Sequence, residues 1–277
     1  MPRLTASFMT NLRAQWEHVK PISQILRHFQ NPWLVVLLRL GLIKLPYFPY
    51  RIHKGDNRYT MLARPTSTAM ADLYILRDVL IEEAYGDVLP LLPRRNLRLL
   101  DIGANLGSFT IWMHRQLGVG EAFCFEPEPD SFRLLNFNLA LNECTTAKTI
   151  RCAIGGESRP ALLALKESAP GGTNLYAEYN ARADAKPVSI VAFEEWLRGI
   201  EGDFDLLKMD CECSEWEIID KTDPSQFKRF PVLLAEVHND PVSNRPVEEF
   251  KRIVEGLGYR TIRWDNRFHG LYLGVRK

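Results

Sequence analysis

The residues of this chain whose types and spacing can do chemistry form two sets. The first is Asp101-Ile102-Gly103-Ala104-Asn105-Leu106-Gly107, which follows an apolar run from Leu97 and leads into Ser108-Phe109-Thr110-Ile111-Trp112-Met113. The pattern spells a buried strand that stops at an acid, a turn where side chains would obstruct a ligand, and then a helix. Phe123-Cys124-Phe125-Glu126 adds a second strand closed by an acid. A strand–helix–strand unit of this form holds a nucleoside, with backbone approaching at the turn and the second carboxylate meeting ribose hydroxyls.

Two nucleoside ligands compete for that reading. The spacing is D-x-G-x-N-x-G, not G-x-G-x-x-G, so a dinucleotide site lacks its middle spacing. A helix starting near Ser108 would offer free N–H groups to an anion, yet Asp101 would repel a pyrophosphate. The same carboxylate suits a ligand carrying an ammonium and a sulfonium, which favours S-adenosylmethionine. Asn105 can hydrogen-bond or take a positive φ.

The second set is Asp210, Glu212, Glu236 and His238. Asp210 and Glu236 close two further strand candidates, at the carboxyl edge where open α/β sheets hold ligands. Glu236 and His238 are two apart, so an extended segment projects both to one side. Such a set can take the proton of an acceptor hydroxyl during group transfer, with His238 or Asp210 as the base. It can also hold a divalent metal that lowers the hydroxyl's pKa. No spacing singles out a metal, so no metal ligand is assigned. The plainer roles are local: His238 capping a strand, and Glu212 or Glu215 opening a helix, where acids are favoured. Glu215 and Trp216 read as helix-start and packing residues.

These residues need a scaffold. From Leu97 onward, strand candidates at Leu97–Ile102, Glu121–Glu126, Thr149–Ala153, Phe204–Asp210, Val232–Val237 and Tyr259–Trp264 alternate with helical stretches. The helical stretches are Ser108–Leu117, Asp130–Leu141, Ala192–Leu197, Glu215–Lys221 and Pro246–Leu257. That alternation predicts an α/β fold with a mostly parallel sheet and helices on both faces. Leu271–Val275 follows Tyr259–Trp264 too closely for a crossover helix, so the last two strands form an antiparallel hairpin. Before the sheet, two short runs around Lys54-Gly55-Asp56-Asn57-Arg58 read as another hairpin, and Ala71–Tyr85 reads as a helix ended by Gly86. Ala153–Lys186 is rich in glycine and small polar residues and reads as a loop or extra hairpin. Its Thr173, Asn174 and Tyr176 could touch an acceptor, though solvated loop is the commoner role.

Asp101–Gly107, Phe125-Glu126-Pro127 and Leu207-Lys208-Met209-Asp210-Cys211-Glu212 together resemble the FkbM family of S-adenosylmethionine-dependent methyltransferases, from about Tyr50 to Val275. The family reads acid-x-Glu-Gly-x-Glu after its fourth strand. Here Asp210-Cys211-Glu212-Cys213-Ser214-Glu215 places Cys213 where the glycine stands. The resemblance implies a Rossmann-like class I methyltransferase fold and S-adenosylmethionine as donor. It implies a hydroxyl acceptor on a sugar, glycan, lipid-linked glycan or polyketide. By position, Asp101, Gly103, Ala104, Asn105, Gly107, Glu126 and Pro127 would line the cofactor, with Ala153 and Ile154 on the adenine side. Asp210, His238, Glu236 and Glu212 would be the catalytic candidates. A nicotinamide-dependent oxidoreductase on a similar sheet is the competing activity. Cys213 keeps open a non-catalytic, cofactor-binding member.

The bulk numbers set limits. The chain has 277 residues, 46% hydrophobic and 25% charged, which suits a globular protein with a real core. A net charge of +1 makes no case for nucleic acid. The five cysteines lack metal-finger spacing and predict a reduced, cytoplasmic protein. No signal peptide or spanning segment is expected: Pro32–Pro49 is interrupted by Arg39 and Lys44. The expected division is a basic, helical extension over residues 1–47 and a methyltransferase domain over 48–277. Residues 1–54 hold eight Lys or Arg against the single acid Glu17. With Trp16, Phe29 and Trp33 among the basic residues, residues 1–45 suit either peripheral contact with an anionic membrane or a domain or homo-oligomer contact. The second is the commoner fate.

Overall fold

The structure is a computed structural model that describes residues 22–65, 70–165, 173–174, 185–212, 214–239, 245–266 and 270–276. A helical stretch at 22–28 is followed by helix α1 (Pro32–Arg39). Strands β1 (Phe48–Lys54) and β2 (Asn57–Ala63) pair antiparallel across the two-residue Gly55-Asp56 turn, as expected. Helix α2 (Met70–Arg77) widens into a π-helical turn at Asp78–Glu82 and stops at Glu83, which takes a left-handed φ of 53°. The expected helix to Tyr85 with Gly86 as its stop is therefore corrected. The Glu83 carboxylate accepts from Gln116 Nε2 at 2.9 Å, and Gly86 instead opens a 3₁₀ turn, Gly86–Leu91.

The alternating part of the chain supplies β3 (Leu97–Ile102), α3 (Ser108–Leu117), β4 (Val119–Phe125), α4 (Pro129–Leu141) and β5 (Ala147–Ile150). The expected strand Thr149–Ala153 is two strands. Cys152 donates its N–H to the Ile150 carbonyl at 3.1 Å, and that tight turn sends β6 (Ala153–Gly155) into another sheet. There β6 joins β7 (Arg159–Leu165), β8 (Thr173–Asn174) and β9 (Lys186–Ala192) in the order β6-β9-β7-β8. The segment read as a loop or hairpin thus carries a small sheet. Tyr176 lies outside the described residues.

Next come α5 (Phe193–Arg198), β10 (Leu206–Met209), α6 (Ser214–Lys221), β11 (Val232–Val237), α7 (Val247–Gly256), β12 (Tyr259–Asp265) and β13 (Gly270–Arg276). The large sheet has the order β12-β13-β11-β10-β3-β4-β5. β13 runs antiparallel to both its neighbours, as the short β12–β13 connection required.

Alternation along each strand divides the core between the two faces of this sheet. Leu97, Leu99, Cys124, Leu206 and Leu234 face a cluster with Ile25, Phe29 and Val35 from the N-terminal helices and Tyr50 and Met61 from the hairpin. Leu100, Ile102, Phe125, Leu207, Met209 and Leu233 face the other, with Phe193, Trp216 and Phe250. Because both faces are covered, β10 and β11 read as nearly unbroken apolar runs.

Candidate functional site

The chain leaves β3 toward β4 on one side, whereas β10 and β11 lie on the other. The boundary between β3 and β10 is therefore the topological switch point of the sheet, where open α/β folds form their ligand crevice. Lys208 on β10 stands directly across from Asp101 on β3 in the parallel register.

The glycine turn after β3 is tied into both neighbouring strand ends. Gly103 and Ala104 donate their N–H groups to the Phe125 carbonyl at 3.0 and 2.8 Å, and Asp210 donates to the Ile102 carbonyl at 3.0 Å. Gly103 has φ +80°, and a Cβ there would lie 1.8 Å from the Asp210 carbonyl oxygen. No side chain fits at that position. Asn105 takes the expected positive φ of 48°, and its Oδ1 is buried without a hydrogen-bond partner among the described residues. Asn138 on α4 holds the turn from behind, donating to the Leu106 carbonyl at 2.9 Å and pairing with the backbone of Leu62 on β2.

Asp101 is fully buried. One carboxylate oxygen accepts from Thr110 Oγ1 at 2.7 Å, and the other lies 3.3 Å from Lys208 Nζ in an ion pair without hydrogen-bond alignment. Lys208 Nζ also donates to the Gly103 carbonyl at 2.9 Å and lies 3.4 Å from Asp210. Burial works against the lysine's charge, but Asp101, Asp210 and Glu236 outweigh it and raise its pKa. Asp101 thus acts on the turn through Lys208 and Thr110.

Glu126, just past β4, accepts from the N–H groups of Asn105 and Glu128 at 2.9 and 2.8 Å. Burial raises its pKa to about 7 despite those bonds. Pro127 adjoins it. Ala153 and Ile154 are buried on β6, next to β9 in the smaller sheet.

The second set also converges. One ligand-type atom each of Asp210, Glu236 and His238 lies within 4.8 Å of the others. Glu236 accepts a short hydrogen bond from the Tyr85 hydroxyl. Burial first, and the charge of Asp210 second, push the Glu236 carboxyl up to about 7. His238 is different. Burial would lower its pKa, but Glu215, with Glu212 and Asp210, outweighs this and raises it to about 10. Its Nδ1 lies 3.3 Å from Glu215 Oε1 and its Nε2 3.9 Å from Glu212 Oε2. The neighbouring carboxylates thus favour the protonated form of this imidazole. Two carboxylates and an imidazole are a reasonable donor set for a divalent cation, although an imidazolium has no lone pair to give.

Three residues of the site carried no catalytic or binding role in the sequence reading. Lys208 had a signal, since a lone lysine in the apolar run of β10 must find counter-charges. Glu215, expected only to open α6, is fully buried and accepts from the Cys211 N–H at 2.8 Å as well as facing His238. Tyr85 had no local signal, because its partner Glu236 is distant in sequence. Trp216 packs as expected and also donates to the His238 carbonyl at 2.7 Å. The Cys211 thiol is pushed up by burial and nearby carboxylates, which fits packing rather than nucleophilic chemistry. Cys213 lies outside the described residues.

A doubly wound sheet in this strand order, closed by one antiparallel strand and with its acids at the switch point, is the Rossmann-like class I methyltransferase fold. The chain belongs to the FkbM methyltransferase family, whose domain model (Methyltransferase FkbM domain) matches residues 101–261. "Methyltransferase 1" of Beauveria bassiana (strain ARSEF 2860) is 28% identical over 120 residues, covering 43% of this chain and 47% of that protein. The match thus spans about half of that relative's length. "Methyltransferase sdnD" of Sordaria araneosa is 24% identical over 192 residues, covering 58% of this chain and 73% of the relative. Among solved structures, TYW2 of M. jannaschii in complex with AdoMet aligns with a TM-score of 0.43 at 14% identity, covering 85% of this chain and 89% of that one. Among the described residues no helix is long and apolar enough to cross a membrane.

Proposed function

We propose that this chain is an S-adenosylmethionine-dependent O-methyltransferase whose acceptor is a hydroxyl of a sugar, glycan, lipid-linked glycan or polyketide. The observation that carries the reading is electrostatic. Asp101, Glu126, Asp210, Glu212, Glu215 and Glu236 gather at the carboxyl edge around the switch point, against the cations Lys208 and His238. Such a crevice favours a cationic ligand and disfavours a pyrophosphate.

The residues present fit that cofactor. Gly103 leaves room for close backbone approach, and the buried Asn105 Oδ1 is an acceptor without a partner among the described residues. The backbone of Gly103–Gly107 with Asn105 would hold the methionine and ribose portion, Glu126 the ribose hydroxyls, and Ala153 and Ile154 the adenine side. When bound, S-adenosylmethionine supplies a methyl carbon already activated by its sulfonium.

Glu236 is the base in this reading. Its carboxyl sits near pH 7, where a general base works best, and it stands beside Asp210 at the strand edge. It takes the proton of the acceptor hydroxyl as the new oxygen–carbon bond forms. Tyr85 steadies the carboxylate through its hydroxyl. His238, held charged by Glu215, contributes a fixed positive charge, and Asp210 orients the acceptor.

Calorimetry with S-adenosylhomocysteine and with NAD is the direct test. Binding of S-adenosylhomocysteine that Glu126→Ala weakens is the expected result. Binding of NAD alone would instead establish an oxidoreductase, and binding of neither would favour a non-catalytic protein. Transfer of labelled methyl groups to a panel of glycans and polyketides, with the linkage read by mass spectrometry, tests the acceptor class.

A further inference from the structure

Large apolar side chains are not spread evenly over this surface. Of the thirteen that are exposed among the described residues, eight fall between Ile22 and Tyr47. On α1, Val35 and Leu38 are buried against the hairpin side, whereas Trp33, Leu37 and Leu40 form a stripe at i, i+4 and i+7 on the opposite side. Trp33 is 70% exposed, Leu40 63%, and Leu42 just beyond the helix 69%. A helix that is apolar on both faces expects a second apolar partner beyond the core it already covers.

The segment is firmly seated on the domain. Phe29 bridges Ile52, the Gln30 N–H donates to the Arg51 carbonyl at 2.8 Å, and Gln24 Nε2 donates to Glu82 at 3.0 Å. The apolar stripe is therefore a fixed feature of the folded surface.

Charge says what the stripe meets. Residues 22–55 contain Arg27, Arg39, Lys44, Arg51 and Lys54, and no Asp or Glu. Glu82, the acid that reaches the segment through Gln24, is itself paired with Arg77. A second copy docked two-fold on this face would bring two segments of like positive charge together. Residues 1–21, with Arg3, Arg13 and Lys20 against Glu17, carry the same sign. An interface with an apolar interior and a negative rim answers both halves of the surface.

We propose that the outward face of residues 22–47 binds the headgroup region of an anionic lipid bilayer. Trp33, Leu37, Leu40 and Leu42 enter the headgroup–acyl boundary while Arg27 and Lys44 meet the lipid charges. The chain adsorbs to the surface through this face.

Flotation of the full chain on vesicles tests this, independently of any catalytic reading. The protein is expected to float with vesicles of equimolar phosphatidylcholine and phosphatidylserine, and not with phosphatidylcholine alone. High salt should release it. The combined variant Trp33→Ser, Leu40→Ser and Leu42→Ser, with its fold checked by circular dichroism, should stay in the soluble fraction. Arg27→Gln and Lys44→Gln should each lower partitioning about fivefold. Failure of the wild type to float with the anionic vesicles would overturn the proposal, as would equal flotation of the serine variant. Sedimentation showing a dimer that the serine variant converts to monomer, without flotation of either, would make this face an interface between copies.

Discussion

Lys208 and Asp101 face each other across β10 and β3 at the switch point of the sheet, with Nζ 3.3 Å from Oδ1. Both side chains are buried, so each charge needs the other. The same ammonium holds the Gly103 carbonyl and lies beside Asp210. One lysine thus joins the glycine turn to the acids on the other side of the crevice. Replacing it with methionine strands two carboxylates, and Lys208→Met should destabilise the protein by about 3–5 kcal/mol. The double variant Lys208→Met with Asp101→Asn should cost less than the single. Urea unfolding of the wild type, both singles and the double measures the coupling.

Gly103 answers to geometry alone. An added methyl would collide with the Asp210 carbonyl oxygen, and the positive φ strains any other residue. Gly103→Ala should lose about 2 kcal/mol or more of stability and weaken S-adenosylhomocysteine binding well beyond that of Gly118→Ala, a control. Gly118 also has positive φ but has open space around its Cβ position. Thermal unfolding and calorimetry on the two variants separate the clash from the strain.

The base assignment makes a pH prediction. A carboxyl that titrates at about 7 works only when ionised, so turnover should rise as pH climbs through that value. Glu236→Gln should cost about 10²–10⁴-fold in kcat and lose this limb, with cofactor affinity little changed. The Tyr85 hydrogen bond favours the ionised form of Glu236, so Tyr85→Phe should move the limb to higher pH. Single-turnover rates across pH on the three proteins read this out.

The pairing of His238 with Glu215 makes a second pH prediction, this one on stability. Its folded-state pKa of about 10 lies above the ordinary 6.5. The stabilisation from its pairing with Glu215 is therefore fully present below pH 6.5 and is lost as pH rises through about 10. Over that window stability should fall by up to about 1.4 kcal/mol per pH unit. In His238→Gln that slope should vanish, which denaturation curves between neutral and alkaline pH would show.

Glu126 and Glu236 sit near neutrality because burial disfavours their charged forms, with the nearby carboxylates of Glu128 and Asp210 adding to it. A cationic ligand should return them to the ionised form. Binding of S-adenosylmethionine at neutral pH should release about one more proton than binding of S-adenosylhomocysteine, which lacks the sulfonium charge. Titrations in buffers of different ionisation enthalpy count the protons.

Much of this was legible in the chain itself. The alternation of short apolar runs with helical stretches determined a parallel sheet, and the spacing after Tyr259 determined its antiparallel close, because a crossover needs more residues than are there. The bounds of β11 and α3 match the periodicity residue for residue. The Asp101–Gly107 turn was legible because only glycine satisfies its backbone at Gly103. Local pattern did less well where two elements share one apolar run, as at β5 and β6, or where a long-range contact sets a boundary. Glu83 ends its helix in contact with Gln116, and no neighbour in sequence announces that.

The tertiary structure alone decided which charges face each other. Lys208 meets Asp101 because β10 lies beside β3, Tyr85 meets Glu236 because the chain folds back over the sheet edge, and Glu215 turns inward to His238. Residue type determines that a group can titrate, and sequence spacing determines which strand end carries it. Its pKa is set by burial and by partners far along the chain, so the protonated His238 and the near-neutral Glu236 emerged only once the strands were side by side.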